Sequence, residues 1–226
     1  MTRITTILCS LAVVTAVVGQ EKRAEVQRLV EIRTDLGTMV VALYNETPQH
    51  RDNFLKLVTD GAYDSLLIHR IVPTLMVQGG DPDSRLAGPD TPLGNGGPGY
   101  TLPAEIVPGL IHKKGALAAV RLGEDVDPEK RSNGSQFYIV HGKPFQPNEL
   151  SLLAQRSARM GTPVTYTEEQ QRIYATEGGA PHLDGAYTIF GEVVEGLEVL
   201  DALAKLSCDG NDRPMQDVRM FIRLHP

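Results

Sequence analysis

One arginine, Arg70, interrupts the apolar run Leu66 to Val72. Met76 and Gln78 follow it closely, before the pair Gly79-Gly80 and Asp81. At strand period Arg70 shares a face with Ile68 and Val72, which draws its guanidinium toward an apolar wall. A lone desolvated cation is costly, so this one must pair with a carboxylate, reach solvent over its neighbours, or line a cleft. A second run, Ser132 to Ile139, carries Gln136 beside Phe137 and Tyr138. No Ser-His-Asp or Cys-His hydrolase arrangement stands out, and Cys208 has no motif around it. The six histidines show no paired ligand spacing, so no metal site is expected. Gly94 to Gly99 matches GxGxxG, but in a Pro-rich loop with no helix to follow, which argues against a dinucleotide site.

The elements that must position these groups are mostly short strands. Leu29–Thr34 and Thr38–Leu43 read as a hairpin around Asp35-Leu36-Gly37. Thr47-Pro48 opens a helix, with Thr47 as its cap, an inner stripe of Phe54, Leu55 and Val58, and Gly61 at its end. Leu66–Val72, Gly115–Val120, Gln136–Val140, Tyr187–Val194 and Val218–Leu224 read as strands. Pro73 to Pro108 reads as a long structured loop. A helix over Gly196–Leu206 sets Val199, Leu203 and Leu206 at core spacing. Between two of the strands, about 146–180, lies a helical insertion. Asn148 is expected to cap its first helix, which runs to Met160, and Thr167-Glu168-Glu169-Gln170 has capping-box spacing for its second. The pattern predicts a mainly β antiparallel barrel or sandwich.

The chain has 226 residues, enough for one domain with a full core. Residues 1–19 have the layout of a secretory signal peptide: basic Arg3, an apolar stretch from Ile7 to Val18, and small residues at the end. Cleavage near Gly19 would leave Cys208 without an internal disulfide partner. The net charge of −6, with no basic run, gives no electrostatic footprint for nucleic acid. Once the signal is removed, no membrane association is expected.

Ile68-His69-Arg70-Ile71-Val72-Pro73-Thr74-Leu75-Met76-Val77-Gln78-Gly79-Gly80-Asp81 and Ser132-Asn133-Gly134-Ser135-Gln136-Phe137-Tyr138-Ile139 together resemble the two signature segments of the cyclophilin peptidyl-prolyl cis-trans isomerases. His182-Leu183-Asp184-Gly185 and Phe190 to Gly196 resemble further segments of that family. The resemblance implies a closed eight-stranded antiparallel β-barrel capped by two α-helices, over residues 28–226, with the helical insertion added. It implies no cofactor, a monomer and proline-containing polypeptide substrates; the pattern in residues 1–19 and the compact single domain suggest export across the inner membrane to the periplasm. Arg70 matches the catalytic arginine and Gln78 the glutamine beside it. The substrate-binding positions it points to are Leu75, Met76, Arg121, Gln136, Phe137, Tyr138, His182, Leu183 and Tyr187.

Four of these depart from the common pattern. Leu75 stands for Phe at the pocket floor, Tyr187 for His and Arg121 for Asn. His182 stands for the Trp of strongly cyclosporin-sensitive members, which implies weak cyclosporin inhibition. Two other readings stay open from sequence: a module that binds proline segments with little turnover, and a chaperone that uses the insertion as a client surface. On strand alternation His69 points away from Arg70, as a hydrogen-bonded core residue.

Overall fold

The computed structural model describes residues 26–123 and 125–226, so the expected signal peptide lies outside the described residues. Nine strands form one antiparallel sheet: β1 Arg28–Thr34, β2 Gly37–Leu43, β3 Leu66–Val72, β4 Met76–Gly79, β5 Thr101–Leu102, β6 Ala116–Arg121, β7 Ser132–Val140, β8 Ile189–Glu195 and β9 Val218–Leu224. Their order is β4-β3-β9-β1-β2-β8-β6-β7-β5, and β4 also pairs with β7. That last pairing closes eight strands into a barrel, with β5 hung on the outer end of β7. Closure removes the sheet edges that an open antiparallel sheet would expose.

Alternating residues fill the lumen: Val30, Ile32, Met39, Val41, Leu43, Leu117, Ile139 and Ile222 are all buried in one cluster. Helix α1, Pro48–Thr59, closes one mouth with Phe54, Leu57 and Val58. Its first free amides, from Gln49 and His50, donate to the Glu105 carboxylate at 3.1 and 2.9 Å. Thr47 holds the cap position, but its buried hydroxyl makes no bond among the described residues. The distant carboxylate thus satisfies helix-end donors that a local cap would otherwise serve. A second capping helix, Leu197–Leu203, packs Val199, Leu200 and Leu203 inward.

The insertion holds α2, Pro147–Arg159, and α3, Glu168–Thr176; the capping helix that follows them is α4. Gln146 caps α2, not Asn148, because Pro147 takes the first helical position, where its missing N–H costs nothing. The Thr167 box forms as expected, with Gln170 N–H donating to Thr167 Oγ1 at 3.2 Å. The stretch read as one long loop contains β4. Four residues between a proline and a glycine pair are too few to show alternation, and their strand character comes from pairing with β3 and β7 on both sides.

The register of β3 against β4 slips between Ile68 and Arg70, since Ile68 faces Gly79 while Arg70 faces Gln78. This bulge at His69 corrects the expected face. Ile68 and Ile71 both point into the barrel core, and Arg70 and Val72 point out. An extra residue in one strand re-aims every side chain beyond it. Gly80 is needed just past β4: its φ is +88°, and a Cβ there would lie 2.3 Å from the Ser135 carbonyl oxygen.

Candidate active site

Outside the barrel, above β4 and β7, a notch of about 160 Å³ is lined by Arg70, Leu75, Met76, Gln78, Val120, Arg121, Tyr138, Leu183 and Tyr187. The antiparallel register builds it directly, since Met76 faces Val140 and Gln78 faces Tyr138 across the closing pair. Met76, Tyr138 and Ile189 are buried in a cluster that Leu75, Leu183 and Tyr187 complete. Tyr138 and Tyr187 meet edge to face at 5.9 Å, and the Arg121 guanidinium lies 4.6 Å above the Tyr187 ring. Arg121 also donates through Nε to the Ala186 carbonyl at 2.7 Å, which fixes that wall.

The Arg70 guanidinium is half-exposed at the rim. Its Nε and Nη2 both sit 3.2 Å from Asp212 Oδ2, leaving Nη1 without a partner among the described residues. Arg70 therefore pairs with a carboxylate and lines the notch at once; the two sequence readings are not exclusive. Asp212 was not legible in the sequence. It lies in the loop before β9, at φ +63°, and no motif marks it.

Gln78 Nε2 donates to Gln136 Oε1 at 2.9 Å. Gln136 Nε2 in turn donates to the Gly94 and Gly96 carbonyls at 3.0 and 2.7 Å. The same loop is pinned from beneath by the fully buried Asp81, which accepts from Gly94 N–H at 2.6 Å and Gly96 N–H at 3.3 Å. The glycine-rich segment is thus a clamp on two glutamines. Gln78 lines the notch with its amide nitrogen committed to Gln136, which sits one side chain behind it.

Three expected substrate residues fall outside the notch. Gln136 is buried under the glycine loop. Phe137 alternates inward, packing on Phe54 at 5.5 Å and Tyr63 at 5.7 Å in the barrel core. His182 faces an adjoining groove on the far side of Leu75.

Behind the notch runs a buried polar chain. Asp184 Oδ1 accepts from His112 N–H and from His112 Nδ1, both at 2.7 Å. Asp184 Oδ2 accepts from Tyr174 at 2.5 Å and Tyr166 at 3.0 Å. With Nδ1 donating, His112 Nε2 is left to accept from the Tyr138 hydroxyl at 3.0 Å. Burial, then the nearby Asp184 charge, pushes the Tyr166 and Tyr174 phenols far above their usual range, so both remain donors. Burial likewise raises Tyr138. Two tyrosines of the insertion are thereby linked to the notch wall through a satisfied carboxylate and one imidazole.

The model of the family described as cyclophilin type peptidyl-prolyl cis-trans isomerase/CLD matches residues 29–222. The chain belongs to that family. Among curated relatives, a Streptococcus pyogenes protein named as a bifunctional phosphatase/peptidyl-prolyl cis-trans isomerase is 34% identical over 197 residues, 84% of this chain. The chain spans 37% of that protein's length. A Staphylococcus aureus protein named as a peptidyl-prolyl cis-trans isomerase is 32% identical over 190 residues, covering 84% of this chain and 87% of its own. A cyclophilin-type isomerase from Cryptosporidium parvum superimposes with TM-score 0.65 at 24% identity, over 89% of this chain and 99% of that one. The same protein in the presence of the dipeptide Ala-Pro gives TM-score 0.64. The closed barrel is thus the cyclophilin fold, and the α2–α3 insertion sits on it without breaking the strand order.

Proposed function

We propose that this cyclophilin binds Xaa-Pro segments with the proline ring in the notch, and that Arg70 acts on the imide nitrogen as the bond twists. The barrier to be lowered is about 18–20 kcal/mol, set by loss of amide resonance. Twisting pyramidalises that nitrogen and frees its lone pair. A guanidinium N–H can bond the lone pair only in the twisted state, so the interaction is differential and raises turnover. A rate on the order of 10³ per second, against tens to hundreds of seconds unaided, requires about 7 kcal/mol. One charge-assisted hydrogen bond contributes about 1.5–3 kcal/mol. The remainder must come from the socket of Met76, Leu75, Tyr138 and Leu183, which holds the ring while the flanking chain turns, and from Gln78, whose side chain is fixed in advance by Gln136.

The observation that carries this reading is a half-exposed Arg70, held on one edge by Asp212, beside a notch lined mainly by apolar side chains. The clients we propose are exported chains, on the support of the three-part pattern in residues 1–19, and the compartment is the periplasm. A protease-coupled proline-peptide assay tests the mechanism. Arg70→Ala should lower kcat/KM roughly a hundredfold, about 3 kcal/mol, and Arg70→Lys should recover little of it, lacking the planar fork. Full activity in Arg70→Ala would exclude the arginine mechanism, and no turnover in the wild-type chain would leave a binding module.

A further inference from the structure

Leu75 lines the notch and also a second, larger groove of about 570 Å³ on its other side. Val72, Pro73 and Thr74 at the end of β3, with Lys143, Phe145 and His182 from the segments flanking the insertion, form one side of that groove. Helix α2 contributes Leu153, Arg156 and Ser157, and its C-cap Met160 completes the other side. Those four follow the spacing of one helix face, so the insertion presents a continuous stripe to the groove. The apolar part of the stripe is only partly spent on packing: Leu153 rests half-buried against the Phe145–Leu150–Tyr174 cluster, and Met160 is 62% exposed.

The charges are one-sided. Lys143 and Arg156 line the groove, no carboxylate does, and neither cation has a carboxylate partner among the described residues. Lys143 instead rests 5.2 Å over the Phe145 ring. In a chain with 28 acidic and 22 basic side chains, two unpaired cations over one apolar trough are an uneven placement of charge. A substrate chain leaving the notch past Leu75 would run directly into it.

We propose that this groove is an extended peptide subsite, built by the insertion, which selects proline segments carrying an acidic residue next to an apolar one within a few residues of the proline. This rests on the notch being the proline site. Apolar area from Leu75, Leu153 and Met160 holds the neighbouring side chain, while Arg156 and Lys143 read the carboxylate. Exposed ion pairs are individually weak, so the selectivity is a ratio of a few fold, expressed in KM and Kd ahead of kcat.

Fluorescence anisotropy on labelled nonapeptides tests it. Each carries one central Ala-Pro, with Asp or Lys in place of Ala on either flank. The acidic flank on one side of the proline should bind about three- to tenfold tighter than the basic flank. The preference should shrink as salt rises to roughly 0.5 M. It should invert in the double variant Lys143→Glu/Arg156→Glu, with each single variant read alongside and folding checked by circular dichroism. Equal affinity for acidic and basic flanks on both sides, or a preference unaltered in all three variants, overturns the subsite. Turnover of a short Ala-Pro tetrapeptide is measured in parallel. Flank selectivity without turnover removes the isomerase reading and retains the groove; turnover without selectivity does the reverse.

Discussion

Asp212 Oδ2 lies 3.2 Å from both Nε and Nη2 of Arg70, while the Asp212 backbone carbonyl accepts from Ile71 N–H at 2.8 Å. The loop before β9 is therefore bound to β3 by its main chain, and its carboxylate is free to orient one face of the guanidinium. That leaves Nη1 without a partner among the described residues and open to serve as the donor in the proposed mechanism. Asp212→Asn keeps a residue that tolerates the positive φ and removes the charge alone. The pair is about half-exposed, so its loss is worth about 1 kcal/mol or less. Turnover should fall two- to fivefold, chiefly in kcat, with the melting temperature nearly unchanged. Unchanged or increased kcat would show that the carboxylate does not position the arginine.

The notch was legible through the family resemblance: Met76 and Gln78 lie in a stretch read as loop, and the pairing with β7 that sets them beside Tyr138 emerges only in the fold. The barrel's hairpin and the Thr167 box were readable because their signals are local. What was hidden depended on irregularity or on distance. A bulge at His69, invisible in composition, decides that Arg70 and Ile68 part company. Asp212 comes from 142 residues away, and the clamp on Gln78 joins Gly94, Gly96, Asp81 and Gln136 through hydrogen bonds that no spacing rule encodes. Phe137 was assigned to substrate although simple alternation with Tyr138 places it inside the barrel.

Leu75 forms the partition between the notch and the adjoining groove and is only partly buried. An aromatic ring there would add an edge or face contact to a bound proline, worth about 1 kcal/mol. The groove leaves room for a larger side chain without overpacking the barrel. Leu75→Phe should raise kcat/KM for a short Ala-Pro peptide about threefold to fivefold. A decrease would mean that the ring closes the notch rather than flooring it.

The chain Tyr138–His112–Asp184–Tyr174 couples the notch wall to the insertion across buried groups. Tyr138→Phe keeps the ring in the notch but leaves His112 Nε2 buried without a donor, which costs about 1–3 kcal/mol. Asp184→Asn weakens the acceptor shared by four donors. Tyr138 and Asp184 share no direct hydrogen bond and are joined through His112, so denaturant unfolding of the double variant should show a non-additive coupling of about 0.5–2 kcal/mol. Additive losses would mean that the imidazole does not relay the interaction, and that deleting the insertion would leave the notch wall undisturbed.

His69 is the residue at the bulge, 3% exposed, and neither ring nitrogen has a hydrogen-bond partner among the described residues. The sequence suggested a hydrogen-bonded core histidine; in the structure the buried ring lacks a well-formed hydrogen bond, so its burial is only partly offset. Burial pushes its pKa down to about 4, with Asp81 and the nearby Leu67 backbone opposing and Arg70 and Arg213 adding slightly to the fall. The unfolded chain binds this proton near pH 6.5, the folded one only near 4, so the unfolded state is favoured progressively as pH drops through that window. The stability contributed above pH 6.5 is lost on the way down, by up to about 3 kcal/mol. His50, His141 and His182 are lowered by burial too and give the wild type a shared acid slope, so the comparison must be with His69→Leu. That variant removes an unpaired buried polar ring and should match or exceed wild-type stability at pH 7. Urea unfolding at pH 4.5 should then find it more stable by about 2 kcal/mol, the difference closing toward neutral pH. Parallel pH profiles for the two proteins would mean that His69 gains its proton as easily folded as unfolded, and that the bulge leaves its ring solvated.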